Sequence, residues 1–117
     1  MNKQYRVKKS NEIEDILNNK DCFYNPFFSV YKLENPKTSH LRYAISVGKK
    51  LGKAVVRNRI KRQITAILDE INIDSCNNVD VFIIARVKVL ELDYNSMLKQ
   101  LRYLFKKHKL IKGDKND

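Results

Sequence analysis

The sequence of 117 residues has only two cysteines, and it lacks any long apolar run. Cys22 and Cys76 stand far apart without CxxC spacing, so the paired-cysteine pattern of a metal site is missing. A disulfide between them stays open, but the first residues lack the apolar region of a secretory signal, which favours reduced thiols. The longest uninterrupted apolar stretch is only a few residues, too short to span a membrane. We therefore expect a cytoplasmic protein.

Motifs of protein catalysis are missing too. No GxSxG, HExxH or P-loop pattern occurs in the chain. His40 and His108 fall in a predicted turn and near a predicted helix end, where a solvated surface histidine is the simplest interpretation. Glu12, Glu14, Asp15 and Asp93 stand at predicted helix starts, where capping and the helix dipole account for them. We expect neither a catalytic residue nor a metal ligand in the polypeptide.

Acidic residues are absent from 35 to 68, although nine cations stand there. These cations are Lys37, Arg42, Lys49, Lys50, Lys53, Arg57, Arg59, Lys61 and Arg62. Over the whole chain 24 Lys and Arg outnumber 13 Asp and Glu, which gives a formal charge of +11. Such an excess indicates a polyanionic partner, either nucleic acid or an anionic membrane surface. Because the apolar fraction of 43% is ordinary for a globular protein, we expect one folded domain over 1–117, with a frayed tail at about 110–117.

Hydrophobic periodicity predicts a small α/β sandwich with a three- or four-stranded sheet. In chain order, the predicted elements are a short helix from Ser10 with Ile13, Ile16 and Leu17 on one face, strands at 27–33 and 42–47, a helix at 54–71, a strand at 79–85, and a helix from Tyr94 to about His108. Asp93 is the predicted N-cap of the last helix. The first two strands resemble an antiparallel hairpin, and the segment around Lys49 either extends the second strand or adds a third.

The helix at 54–71 is amphipathic and strongly basic. Its apolar stripe holds Val56, Ile60, Ile64, Ile67 and Ile71, and the opposite side holds Asn58, Lys61, Arg62 and Thr65, with Arg57 and Arg59 beside them. A solvated basic face is one interpretation. However, the stretch is rich in arginine, whose planar fork suits phosphate, and it lacks the glutamates that usually pair with such cations. Gly48 and Gly52 also leave backbone N–H groups accessible before the helix. The pattern therefore favours nucleic acid.

The stretch SVGKKLGKAVVRNRIKRQI at 46–64 resembles the signature of the bacterial ribonuclease P protein component, whose hallmark is the Arg57-Asn58-Arg59 core. The IIAR ending of a strand at 83–86 and the Leu-Phe-Lys of the last helix at 104–106 also fit, so the resemblance spans nearly the whole chain. It implies an α+β fold, a small two-layer α/β sandwich in the order α-β-β-β-α-β-α. That fold is similar to certain ribosomal-protein and translation-factor domains, with a left-handed β-α-β crossover.

The resemblance also implies a function, the removal of the 5′ leader from precursor tRNA by a ribonucleoprotein. The implied partners are ribonuclease P RNA and precursor tRNA, with no membrane and no small-molecule substrate. In that family the RNA subunit performs the hydrolysis with Mg²⁺, which is held mainly by the RNA and its substrate and not by the protein alone. The implied RNA-binding residues are Lys49, Lys50, Lys53, Arg57, Asn58, Arg59, Lys61 and Arg62.

A cleft between the first helix and the sheet is implied to hold the single-stranded leader, with Ile13, Leu17, Tyr31 and Lys61 at the matching positions. The family usually has phenylalanine where Ile13 and Leu17 stand, and an arginine where Thr65 stands. Aliphatic groups offer contact without a π-face, so leader binding here is expected to depend more on Tyr31 and on charge. Plain core packing is the alternative for Ile13, Leu17 and Tyr31.

Three other functions fit parts of the pattern. A ribosomal or other structural RNA-binding protein would share the charge and the fold but would have no role in cleavage. A helix-turn-helix DNA reader needs a helix directly before 54–71, where strands are predicted instead. A membrane-surface helix usually carries Trp or Phe on its apolar face, whereas Ile and Val stand here.

Overall fold

The computed structural model describes residues 10–35, 41–71 and 78–108. Its elements are α1 (Ser10–Asn18), β1 (Cys22–Tyr24), β2 (Phe28–Glu34), β3 (Arg42–Val47), α2 (Ala54–Glu70), β4 (Val79–Ala85) and α3 (Tyr94–Lys107), with 3₁₀ turns at Lys49–Leu51 and Val87–Glu91. The α+β class and the order α-β-β-β-α-β-α are confirmed. The predicted frayed tail at about 110–117, His40 and Cys76 lie outside the described residues, and the extent of one domain over 1–117 stays a prediction.

The four strands form one sheet in the order β1-β2-β4-β3. β2 is antiparallel to β1 and to β4, whereas β3 runs parallel to β4. The predicted hairpin of β2 with β3 is therefore wrong, because β4 lies between them. β4 carries buried apolar side chains on both faces, such as Val81 and Phe82, so a central position covers it better than an edge position. The additional strand is β1, while the segment around Lys49 forms a 3₁₀ turn.

The two faces of the sheet are covered by different helices. Phe28, Val30 and Tyr43 lie in the larger core with the apolar sides of α2 and α3. The strand residues 28, 30, 43, 45 and 47 thus share one face, which the sequence left open. Sheet, α2 and α3 form the implied two-layer sandwich, and α2 is the crossover between parallel β3 and β4. On the opposite face, α1 seats Ile16 against Ala44 and Phe82.

The start of α3 follows the sequence prediction. Asp93 has extended backbone angles, and its carboxylate accepts a hydrogen bond from the Ser96 backbone N–H at 2.8 Å. This bond satisfies one of the unpaired N–H groups of the first turn. It also holds the pKa of Asp93 below its usual range. The predicted N-cap is confirmed.

The end of α3 differs from the prediction, because His108 is buried and only 2% exposed. Its Nε2 atom lies 2.6 Å from the carbonyl oxygen of Val30 and 3.3 Å from the backbone nitrogen of Phe23. Because the carbonyl oxygen can only accept, the shorter contact assigns the proton to Nε2. The Nδ1 atom is buried without a hydrogen-bond partner among the described residues, and the nearest carboxylate oxygen, from Asp21, is 3.8 Å away. The ring meets Phe23 edge-on at 4.7 Å between centroids. His108 therefore packs the end of α3 against β1 and β2. The sequence did not predict this burial, because it did not show that β1 packs against the ring.

Burial lowers the pKa of His108, although the Val30 carbonyl and Asp21 favour the charged ring. The unfolded chain then binds this proton more readily than the native state does, so acid favours unfolding. We expect this contribution to stability to be complete above about pH 6.5, the usual histidine pKa. It should be lost as the pH falls from there through the lowered native pKa.

Thermal unfolding between pH 7.5 and 5.5 measures the effect, with His108→Gln as the comparison. The glutamine amide can still donate to Val30 but does not titrate. The variant should lose less melting temperature than the native sequence over this range. Equal losses in the two proteins would show that His108 does not control the pH dependence.

Candidate nucleic-acid interface

The basic surface begins in the 3₁₀ turn after β3. Leu51 is buried and anchors this turn, while Lys49 and Lys50 stay exposed. Gly52 follows with φ of 127°, a backbone conformation that L side chains rarely adopt, so the turn into α2 requires glycine. Lys53 is the N-cap of α2 and its side chain makes no capping hydrogen bond. The first N–H groups of α2 thus remain accessible beside three lysines, an arrangement that suits an anion.

α2 separates its apolar side from its basic side as the periodicity predicted. Ile60, Ile64, Ile67 and Leu68 are buried in the larger core. Asn58, Arg59, Lys61 and Arg62 are exposed on the other side. Burying each aliphatic side chain contributes about 1.5–3 kcal/mol, more than the few tenths of a kcal/mol that each like-charge pair costs. Packing therefore fixes the helix and leaves the cations outside.

None of the predicted RNA-binding cations forms an ion pair with another described residue. Arg57 is partly buried, and its Nε donates to the Gly52 carbonyl at 3.1 Å, which fastens the turn to the helix. Thr65, which stands where the family usually has arginine, donates to the Lys61 carbonyl at 2.9 Å within the helix. The structure therefore brings Lys49, Lys50, Lys53, Arg57, Asn58, Arg59, Lys61 and Arg62 together along one turn and one helix.

Arg42 belongs to the same acid-free stretch but is not available to a partner. Its guanidinium donates to both carboxylate oxygens of Asp80, at 2.9 and 2.8 Å, and also to Glu12 on α1. These bonds, chiefly those to Asp80, raise the pKa of Arg42. Of the nine cations in the acid-free stretch, Arg42 is therefore engaged within the fold. Both acids lie far away in the chain, so the pairing with Asp80 follows from the strand register and the pairing with Glu12 from the packing of α1.

The second part of the candidate site lies on the opposite face of the sheet. Ile13, Leu17 and Tyr31 are partly buried in one apolar cluster around Ile16 and Phe82. The structure thus brings together three of the four predicted cleft residues. Lys61 instead stands exposed on α2, whose apolar side packs on the other face.

Toward the β1 edge, Tyr31 adjoins residues that include Tyr24, Ser29 and Arg86, which the sequence did not single out individually. Tyr31 and Cys22 are cross-strand partners, and burial, followed by the influence of Cys22, raises the pKa of Tyr31. Burial likewise raises the pKa of the Cys22 thiol. Arg86 donates to the Ser29 hydroxyl at 3.0 Å and lies 5.5 Å from the centroid of the Tyr24 ring. The IIAR match was the one sequence signal for Arg86.

The family model for ribonuclease P matches residues 1–109 of the chain. The chain belongs to the ribonuclease P protein component family. The ribonuclease P protein component of Geobacillus sp. (strain WCH70) is 40% identical over 114 residues, which cover 97% of this chain and 98% of that protein. The component of Mycoplasma capricolum is 44% identical over 105 residues, covering 88% of this chain and 94% of that protein.

Solved structures of the family share the fold. The ribonuclease P protein of Staphylococcus aureus superposes with a TM-score of 0.84 at 31% identity, covering 92% of this chain and 98% of that one. The protein from Thermotoga maritima gives a TM-score of 0.77 at 26% identity, with coverage of 92% and 98%. Membership in the ribonuclease P family gives the chain a role in tRNA 5′ processing and an RNA partner.

Two rival functions can be compared with the fold. β3 and a 3₁₀ turn precede α2, so the paired helices of a helix-turn-helix reader are not formed there. The apolar face of α2 is used in the core, which leaves no apolar face for a lipid surface. Within the described parts of the chain, no helix has the length and apolarity needed to cross a membrane.

If the exposed arginines of α2 contact phosphates, each should contribute to the salt dependence of RNA binding. Arg59→Ala or Arg62→Ala should flatten the slope of log affinity against log salt by about 0.7–0.9. The melting temperature should hardly change, because neither side chain has a partner among the described residues.

Titrations with ribonuclease P RNA over a range of salt concentrations provide the measurement, with Lys99→Ala as the matched control on α3. Lys99 is also exposed, so the control removes one charge elsewhere. The same slope change in the control, or a clear loss of melting temperature in the arginine variants, would contradict a specific contact surface on α2.

Proposed function

We propose that this chain binds ribonuclease P RNA through the basic surface of α2 and the turn before it. We further propose that it binds the single-stranded 5′ leader of precursor tRNA in the cleft between α1 and the sheet. The observation that carries the proposal is the set of exposed α2 cations with no internal ion pairs among the described residues. Phosphates of an RNA partner would supply the missing negative charge. tRNA precursors are made in the bacterial cytoplasm, which is where we place the activity.

The chemistry of the described side chains supports leaving hydrolysis to the RNA. His108 is buried and bonded to a carbonyl, and the Cys22 thiol has a raised pKa. The carboxylates of Glu12 and Asp80 are both engaged by Arg42. The described residues contain no group of three or more His, Cys, Asp or Glu side chains that could hold a metal. They therefore do not fit a protein-held Mg²⁺, and we propose that the ion is held mainly by the RNA and its substrate.

β3 connects the two proposed surfaces. Ala44 of this strand faces the α1 cluster, whereas Tyr43 and Val47 face the core under α2. β3 is an edge strand, and its two faces border the α1 cluster and the core under α2. An RNA bound along α2 is then close to a leader that crosses the opposite face. The protein would neutralise phosphates of the catalytic RNA and hold the leader at the same time.

Reconstitution tests the function as a whole. At low Mg²⁺, the purified chain should accelerate leader removal by ribonuclease P RNA, because the protein replaces part of the charge screening that the ion otherwise supplies. A variant with Arg59→Ala and Arg62→Ala should lose much of the acceleration. The matched control, with Lys88→Ala and Lys99→Ala, removes two exposed cations outside α2 and should keep it. No acceleration at any protein concentration would rule the function out.

The contribution of Tyr31 to leader binding can be measured separately. Replacing Tyr31 with Leu removes the ring, and loss of one base-stacking contact is expected to cost about 1–3 kcal/mol. Tyr31→Phe keeps the ring and should bind nearly as the native chain does. The readout is the gain in holoenzyme affinity when the 5′ leader is lengthened by a few nucleotides.

The same measurement separates this function from that of a structural RNA-binding protein. A structural protein would show no dependence on leader length. If leader length matters but Tyr31→Leu binds as the native chain does, Tyr31 is a core residue only. The melting temperature of each variant provides the control for folding.

A further inference from the structure

A partly buried ionic cluster joins the sheet to α1. Asp80 is only 2% exposed, and it accepts hydrogen bonds from Arg42 at 2.9 and 2.8 Å and from the Asn35 side chain at 2.9 Å. The same Arg42 guanidinium also donates to Glu12. Asp80 lies at the start of β4 and Arg42 at the start of β3, where the two are register partners. One arginine therefore connects both strands to the first turns of α1.

The position of α1 depends on such contacts. A helix of nine residues is not stable in water by itself. Its middle is seated by Ile16, which is fully buried, and its end is held by Asn19, whose side-chain amide donates to the Lys32 carbonyl at 3.1 Å. The bond from Arg42 to Glu12 is a polar contact near the other end. Glu12 directly precedes Ile13, a predicted cleft residue.

We propose that Arg42 and Glu12 are positioning residues for the leader cleft, which hold the first half of α1 at the separation from the sheet that a single-stranded leader needs. The inference rests on the proposed function. This role requires neither residue to contact RNA. Arg42 instead neutralises Asp80 and Glu12, so that Glu12 can stand beside a polyanion and still fix the helix. The two hydrogen bonds to Asp80 set the orientation of the guanidinium before it reaches Glu12.

Removing one negative charge from α1 distinguishes a positioning role of Glu12 from a simple effect of charge on leader binding. Glu12→Gln removes one negative charge and weakens the bond to Arg42, while Asp80 keeps its own bonds and the core is untouched. Glu14→Gln removes the same charge from the same helix, but Glu14 is exposed and has no hydrogen bond or ion pair with another described residue. If only charge mattered, both variants would bind the leader equally or slightly more tightly. If the contact between Arg42 and Glu12, called the clamp below, positions α1, Glu12→Gln binds the leader less tightly.

The measurement is holoenzyme affinity for precursor tRNA carrying a leader of several nucleotides, compared with leaderless tRNA. We expect Glu12→Gln to reduce the leader-dependent gain in affinity by about three- to tenfold, the range for an ordinary hydrogen bond, because glutamine weakens the bond to Arg42 without removing it. Glu14→Gln should change it by less than about twofold, and affinity for leaderless tRNA should stay the same in both. Hydrogen exchange in the free chain should be faster in α1 with Glu12→Gln and unchanged in α3.

The outcomes separate the clamp from the proposed function. If the native holoenzyme shows no leader-dependent gain, leader binding and the clamp both fail. If the native gain is present and the two glutamine variants behave alike, the clamp alone is overturned. An equal loss for leadered and leaderless substrates would also overturn it, because the cluster would then act on overall folding or RNA binding. Arg42→Lys, which keeps the charge but cannot engage both carboxylates with the same geometry, should show the same leader-specific loss if it folds.

Discussion

β3 and β4 run parallel, and a parallel pair cannot be closed by a tight turn. The chain must cross over the sheet between them, and α2 is that crossover. A helix in this position has to bury one side, and Ile60, Ile64 and Ile67 occupy it. Asn58, Arg59, Lys61 and Arg62 then face solvent, because the core occupies the other side of the helix. The pairing of two strands thus determines that a stretch of like charge folds and is displayed to a partner.

The same strand pairing makes one cation, Arg42, unavailable to a partner. Inserting β4 between β2 and β3 buries Asp80 beside Arg42, and a buried carboxylate without a partner would cost about 3–5 kcal/mol. Arg42 is therefore required by the core, while Arg59 and Arg62 are not. Two kinds of arginine stand close together in the sequence, and only their partners in the fold distinguish them. Charge counted along a sequence is an upper limit for the charge that a nucleic acid can meet.

Local patterns predicted the elements, and the pairings between distant elements escaped them. The bounds of α2, the strand at 79–85 and the Asp93 cap depend on neighbouring residues, so periodicity and capping rules were sufficient. The prediction of a β2–β3 hairpin was wrong because strands adjacent in the sequence were assumed to be adjacent in the sheet. β1 is too short to show alternation, and the burial of His108 depends on that strand. The basic surface was predictable because one helix holds most of it, whereas the Arg42 cluster joins three separate elements.

The two proposed surfaces make different physical demands on the fold. Attraction between cations and phosphates acts over several ångströms, so exposed side chains on α2 can adapt their rotamers and need no rigid support. Contact with a leader base depends on dispersion, which weakens steeply with a gap of even 0.5–1 Å. Ile13 and Leu17 stand where the family usually has phenylalanine, and aliphatic groups cannot compensate for a gap by stacking. Leader binding in such a cleft depends more strongly on the exact separation of α1 from the sheet. The ion pair of Arg42 with Glu12 at one end of α1 and the hydrogen bond of Asn19 to Lys32 at the other would control that separation.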